Sequence, residues 1–437
     1  MRSRAEVGTM ATNMRRRLND RASGIAGVVR RHRPDYQLIL FMGILVLIGL
    51  VVLYAISPAR VEMINVSGGN SLDQAHFMQK QVLYLAIGLV AFAFAAIVPL
   101  SWWQRHSGAI LLAGFVACIL LAFLGLFLDG GIIIKSGGAT RWFNVGIGSF
   151  QPAELLKFGL LLFAAGFLAR RMKTGTLNNM SDTLLPLAFV IGCAALFVIV
   201  FQKDMGTGIT MLGMIATMLL VAGLSMRLMG LALIALVGAG LLLIVTSPHR
   251  IARVATFLDP SASGEASSYH ITQAAIALGS GGLTGKGLGQ SVQAFGYLPE
   301  AVNDSIFAIL GETFGFIGVV VIIVIFFALL LRIMKVMDHV IDPTLKLIVA
   351  GAFGLIATHV LVNIGAMTGV FPLTGVTLPF LSFGGTSLLF TMLGLGLVFQ
   401  ISRYTTHSDI RNMETSDEGT QRRRGLGRSR HPRSSRS

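Results

Sequence analysis

Charge is what this sequence has least of. Only 13% of its 437 residues are Asp, Glu, Lys or Arg, about half the roughly 25% of a soluble domain. With 54% hydrophobic residues and a mean hydropathy of +0.74, a water-soluble globule is excluded. Disorder is excluded too, because it needs low hydrophobicity. Cysteine is nearly absent: Cys118 and Cys193 both sit in apolar runs, so neither a disulfide framework nor a cysteine metal cluster is expected. Histidines with metal-ligand spacing are missing, and His270 and His359 stand alone. No cleavable leader is expected, since the basic stretch before the first apolar run is too long and that run can itself span. No internal repeat of the transporter kind is visible.

What is there is a series of apolar runs. A membrane span needs about 20 such residues, and ten runs qualify: 36–56, 81–99, 108–128, 153–169, 184–201, 206–224, 228–247, 306–331, 347–369 and 386–402. The expectation is an all-α, polytopic membrane protein. Despite its low charge density the chain carries a formal +15. Nine arginines lie in residues 1–35 and nine in 403–437. Basic tails can bind nucleic acid, but arginines flanking apolar spans mark the cytoplasmic face. With both ends inside, the inner loops hold Arg105, Arg170, Arg171, Lys173, Arg227, Arg332, Lys335 and Lys346, placing 26 of 35 basic residues inside. The predicted organisation is a basic cytoplasmic tail (1–35), a ten-span domain (36–402) and a disordered basic cytoplasmic tail (403–437). The longest outer loop, 248–305, joins the seventh and eighth spans and contains an amphipathic stretch, 270–278.

Few carboxylates remain for chemistry at the outer face or within the membrane. In FQPAELLKF, Glu154 and Lys157 share one helix face, and Asp204 of FQKDMGTG opens the sixth span on the same side. Ionisable groups in membranes are costly and face a cavity or one another. A packing cluster and a polar substrate cavity both fit these three. Asp304 stands where a polar loop becomes an apolar helix, in VNDSIF; read locally, it caps that helix, although a carboxylate there could also serve as a general base. GSGGLTGKGLGQS, at 279–291, lacks the Ser or Thr of a Walker motif and reads as a flexible turn. Arg250, Arg253 and Lys286 nevertheless make the outer loop a candidate anion site.

Four stretches carry a family pattern: GATRW (138–142) leading into QPAELLK (151–157); QKDMGTG (202–208); GGLTGKGLGQS (281–291) through LPEAVNDSIFAILGE (298–312); and NIGAMTGVFPLTGVTLPFLSFGGTS (363–387). The chain resembles the SEDS family of shape, elongation, division and sporulation proteins, comprising FtsW, RodA and SpoVE-like members. The resemblance implies a peptidoglycan glycosyltransferase that polymerises lipid II at the outer face of the bacterial cytoplasmic membrane. It implies that Asp304 is the essential aspartate, that Trp142 lies on a functional loop, and that Glu154, Lys157 and Asp204 lie beneath a central cavity. The pattern departs from the family's at Ala153, Val302, Asn303, Ser305, Thr313 and His270.

On this reading Asp304 is the base for an acceptor sugar hydroxyl. Arg141, Arg250, Arg253 and Lys286, or a divalent ion (Mg or Mn), offset the leaving lipid diphosphate, with inversion to a β-1,4 bond and no nucleotide. Glu300 joins the expected substrate-binding set. Expected partners are lipid II, membrane lipids, a class B penicillin-binding transpeptidase and other division proteins, with no nucleic acid. The long tails lean toward division at the septum rather than RodA-like elongation. The rival readings are a lipid II flippase working through Glu154, Lys157 and Asp204, and a scaffold acting through the tails.

Overall fold

A computed structural model describes residues 33–68, 71–128, 130–136, 139–146, 148–245 and 266–404, with 251, 255 and 257 between them. Most of both predicted tails, much of the long outer loop, Arg250 and Arg253 lie outside the described residues. Eleven α-helices can be followed in this part of the chain: α1 (Tyr36–Gly68), α2 (His76–Ile97), α3 (Leu100–Phe127), α4 (Pro152–Thr174), α5 (Leu185–Ala195), α6 (Met205–Ala222), α7 (Met226–Val245), α8 (Ala266–Ser280), α9 (Ile306–His339), α10 (Pro343–Met367) and α11 (Gly385–Ile401). Wider π-type turns precede and follow α5, at Met180–Leu184 and Leu196–Phe201.

Among the described residues nine helices are long and apolar enough to cross a membrane, α5 with its π turns counting as one. The remaining predicted span is α7, whose apolar stretch within the described residues is Met226–Ala235. The expected all-α membrane architecture is therefore present, with different span limits. The first helix does not stop at 56 but runs to Gly68, with Pro58 inside it. The stretch 100–107, predicted as an inner loop, forms the opening turns of α3, because only Val98 and Pro99 separate α2 from α3. The outer segment after α3 is not wholly irregular: β1 (Ile133–Ser136), β2 (Ala139–Asn144) and β3 (Ser149–Phe150) make a small antiparallel sheet, with Ile134 opposite Trp142.

The helices sort into a centre and a periphery. In α11 and α4, 83% and 78% of the apolar window is buried within the protein, against 22% in α3 and in α9. In α4, Pro152 stands in the first turn, where its missing N–H costs nothing, and left-handed Gly175 ends the helix. Gly159 of α4 and Gly114 of α3 let the two backbones meet: a Cβ on either would lie 2.6 Å from the partner's Cα. Close approach through small residues is how helices associate in lipid, where apolar burial alone drives little. At one end of the bundle, Arg332 pairs with Asp35 and the Asp35 N–H donates to Ser402, joining α9, α1 and the residues after α11. The opposite end holds the sheet, α8 and the starts of α4, α6 and α9.

Helix α9 is broken. Gly315 takes φ 66°, ψ −169°, so the ladder fails there. The glycine-rich segment repairs the break with its own backbone. Lys286 and Gly287 N–H groups donate to the Glu312 and Thr313 carbonyls, at 2.9 and 3.0 Å, while Phe316 and Ile317 N–H groups donate to the carbonyls of Gly282 and Leu283, at 2.9 and 3.1 Å. Orphan backbone groups are expensive at membrane depth unless protein satisfies them. The expected flexible turn is thus a splint, and the close approach excludes side chains: a Cβ on Gly315 would lie 2.3 Å from Gly285 N.

Candidate active site

A cavity of about 760 Å³ opens among β1, β2, the starts of α4, α6 and α11, residues of α2, α8 and α10, and the 299–304 and 373–377 segments. Its lining includes Arg141, Trp142, Glu154, Asp204, Glu300 and Asp304, together with His270 and His359. Six of the ten predicted site residues therefore share one space. Lys157 lies directly beneath it, and Lys286 is elsewhere.

Asp304 belongs to a turn that α9 does not need as a cap. The capping position falls one residue later, at Ser305, whose side chain makes no cap bond. The local expectation that Asp304 caps the helix is thereby corrected. Three tethers hold the turn. Asn363 of α10 donates through Nδ2 to the Asp304 carbonyl (2.7 Å) and to that of Val376 (2.6 Å). The Phe383 N–H donates to the Val302 carbonyl at 2.8 Å. Ser305 Oγ donates to the Pro299 carbonyl at 2.8 Å. Glu300, at φ 50°, is left-handed without being glycine, and it accepts from Asn303. Such strain persists only where the surroundings over-determine the backbone.

Beneath the cavity, Lys157 Nζ donates to Glu154 Oε1 at 2.8 Å and meets His359 Nε2 at 3.2 Å, all three side chains being buried. His359 Nδ1 lies 3.1 Å from the Thr377 carbonyl. Lysine and the carbonyl dictate the tautomer: Nδ1 donates and Nε2 accepts. The expected Glu–Lys–Asp cluster is thus a Glu–Lys–His one. Asp204 belongs to a neighbouring network, capping α6 through the Thr207 N–H (2.9 Å) and accepting from Thr207 Oγ1 and Gln151 Nε2, both at 2.8 Å. Beside Glu154 and Lys157 lies a second, small void of about 10 Å³, lined largely by apolar side chains such as Phe158, Leu161 and Phe390.

Arg141 reaches the carbonyls of Gln202 (3.2 Å) and Lys203 (2.7 Å) and packs against the Trp142 ring at 5.9 Å. It thereby ties the sheet to the turn before α6. Lys286 pairs with Glu312 Oε1 at 2.7 Å and lies outside the cavity lining; Arg250 and Arg253, its partners in the expected anion site, lie outside the described residues. Four carboxylates, Glu154, Asp204, Glu300 and Asp304, leave the cavity acidic, with Arg141 its lining cation among the described residues. Of the residues the sequence reading missed, Asn363 opens one of the four family-like stretches. His359 carried a signal as well, being a titratable group inside an apolar span.

These features define a multi-pass helical membrane protein with an acidic polar cavity at one end of its bundle. Residues 36–407 match the FtsW, RodA and SpoVE family of cell cycle proteins, and the chain belongs to that family. It is 35% identical to stage V sporulation protein E of Bacillus subtilis over 380 residues, covering 86% of this chain and 99% of that protein. It is 36% identical to a protein of Thiomicrospira cyclica named "Probable peptidoglycan glycosyltransferase FtsW", covering 85% and 92%. Its fold matches the crystal structure of the rod shape determining protein RodA from Thermus thermophilus with a TM-score of 0.61 at 24% identity, covering 86% of this chain and 98% of that one. A chain from a peptidoglycan synthase complex matches at 0.66 and 24% identity, covering 85% and 98%.

Proposed function

We propose that this protein is a peptidoglycan glycosyltransferase that polymerises lipid II, with Asp304 as general base. The observation that carries the reading is the convergence of Asp304 with Arg141, Trp142, Glu154, Asp204 and Glu300 on one cavity. The names of its FtsW relatives support the reaction class. The basic loops support the orientation. Arg170, Arg171 and Lys173 stand at the end of α4 away from the cavity, and Arg332 lies far along α9 from the cavity. Basic inner loops then put the cavity outside, where lipid-linked precursors are polymerised.

In the proposed reaction the acceptor 4-hydroxyl attacks C1 of the donor sugar. The new C–O bond forms as the bond to the lipid diphosphate breaks, and the hydroxyl proton passes to the Asp304 carboxylate. Asn363, holding the Asp304 backbone, fixes where that carboxylate stands. Attack opposite the leaving group inverts the α-linked donor to a β-1,4 product. Arg141 is the described cation available to the diphosphate. The four carboxylates of the cavity, Glu154, Asp204, Glu300 and Asp304, are oxygen donors of the kind that would hold an Mg or Mn ion, which would offset the charge of the leaving diphosphate. The small size of the void beside Lys157, about 10 Å³, favours polymerisation over lipid II flipping. We further propose that the chain works with a class B penicillin-binding transpeptidase at the division septum, the FtsW-like rather than the RodA-like role; imaging the tagged chain at mid-cell or along the side wall separates the two.

The test is reconstitution with lipid II and the transpeptidase partner. Asp304→Asn is expected to lower glycan synthesis by roughly 10²–10⁴-fold, the range for losing a general base. Strand formation at near wild-type rate would overturn the assignment. In parallel, vesicle flipping that survives Asp304→Asn and fails when Lys157 is neutralised would replace the polymerase with a flippase.

A further inference from the structure

The Pro299–Ser305 turn is strained at Glu300 and tethered from α10 and from the 383 segment, but one of its contacts comes from outside the spans. His270, on α8, lines the same cavity as Asp304, and its Nε2 lies 2.7 Å from Ser305 Oγ. Ser305 is fully buried, and its single hydroxyl proton goes to the Pro299 carbonyl at 2.8 Å. The hydroxyl oxygen therefore accepts from the imidazole, and Nε2 carries the hydrogen. A nitrogen that holds its hydrogen against Ser305 cannot take a proton from a sugar, which rules out Nε2 as an alternative base.

We propose that His270 is a positioning residue for the reaction at Asp304: from α8 it donates to Ser305 and so locks the turn that aims the Asp304 carboxylate. The proposal rests on the polymerase reading above. The lock runs from imidazole to hydroxyl to the Pro299 carbonyl, closing the turn across its ends. The Glu300 carbonyl, which accepts from the Asn303 and Ser305 N–H groups at 2.9 and 3.2 Å, lies within the loop so closed. With the His270 contact removed, Ser305 keeps its bond to Pro299 but loses its anchor on α8. The turn keeps its tethers to Asn363 and Phe383 but loses the one at its Ser305 end, so the carboxylate between them can shift by a fraction of its own width. Small displacements of a catalytic group are costly: about 1 Å can lower a rate by two orders of magnitude.

The experiment compares His270→Gln, His270→Asn and His270→Ala in the full-length protein reconstituted with its transpeptidase and lipid II, measuring kcat, KM for lipid II and the thermal midpoint in detergent. Glutamine carries an N–H donor far enough out to reach Ser305, whereas asparagine is one methylene short. The expected result is kcat within about threefold of wild type for His270→Gln and a loss of roughly ten- to hundred-fold for His270→Asn and His270→Ala, with KM changed less than about twofold. Equal activity of the Gln and Asn variants overturns the proposal, as does a loss confined to KM. Because Gln and Asn are compared with each other, a misfolded Ala variant leaves the test intact. A wild-type protein that makes no strands sinks the polymerase reading instead, and an unimpaired Asp304→Asn sinks the assignment of Asp304 as its base.

Discussion

Two glutamates in this bundle each meet a lysine, and their surroundings differ. Glu312 has no acceptor to spare. Lys286 Nζ and the Val292 N–H donate to its Oε1, while Ser291 Oγ and the Gln293 N–H donate to its Oε2. Glu154 gives one oxygen to Lys157, which is shared with His359, and otherwise faces the cavity. A carboxylate saturated by the chain's own donors builds structure. One that keeps a face toward open space is available to a ligand. The sequence separates them only by spacing, Glu154 being 3 positions from its lysine and Glu312 26 positions from its own, and spacing does not say which acid keeps a face toward the cavity.

This contrast can be attacked in order of expected effect. Glu312→Ala strands a hydroxyl, two backbone N–H groups and the Lys286 ammonium around a buried site, and should cost about 3–5 kcal/mol, the loss typical of breaking a buried pair from one side. Thermal unfolding in detergent reads it, and an unchanged midpoint would remove Glu312 from the structural class. Gly315→Ala tests the splint that Glu312 anchors: a left-handed φ and the 2.3 Å clash should cost at least about 1–3 kcal/mol, seen as faster proteolysis at the break. Glu154→Gln keeps an oxygen for Lys157 but removes the charge facing the cavity. Polymerisation should fall about tenfold, equivalent to about 1.4 kcal/mol of barrier, with a smaller midpoint shift than Glu312→Ala. A Glu154→Gln protein that unfolds early yet polymerises normally per folded molecule would erase the distinction. The smallest effect belongs to Lys286→Met, at under about 1 kcal/mol, because this lysine is partly exposed. Glycan synthesis should be unchanged, whereas a diphosphate-binding Lys286 would raise KM.

The spans are legible in the sequence because a run of some twenty apolar residues has few other uses. Their ends are less so. SWWQRHS opens α3 with residues that hydropathy assigns to a loop, and Arg60 and Glu62 sit within α1. Local patterns also misplace polar partners. His359 reads as an isolated histidine because the lysine it meets is 202 positions away. Asp304 reads as a cap because sequence shows where a helix begins only to within a residue or two, and here one residue separates capping from facing the cavity. The glycines of 279–289 read as slack, since the helix break they mend lies in a different run. Arg141, Trp142, Glu154, Asp204, Glu300 and Asp304, by contrast, line one cavity although they come from four separate stretches of the sequence.

The break at Gly315 divides the labour of a single span. Residues 306–313 are all buried in the protein, whereas Phe316, Ile317, Val321, Val324 and Phe327 present large exposed apolar surfaces. Bilayers vary in thickness by several ångströms, and helices adjust by tilting or lengthening. Because 306–313 is held by the protein and the splint fixes the joint, such adjustment falls on 316–339. An added helical turn in that lower piece would change the length matched to the lipid without displacing the carboxylate above it, so this chain can be refitted to a thicker or thinner membrane while its chemistry stays in register.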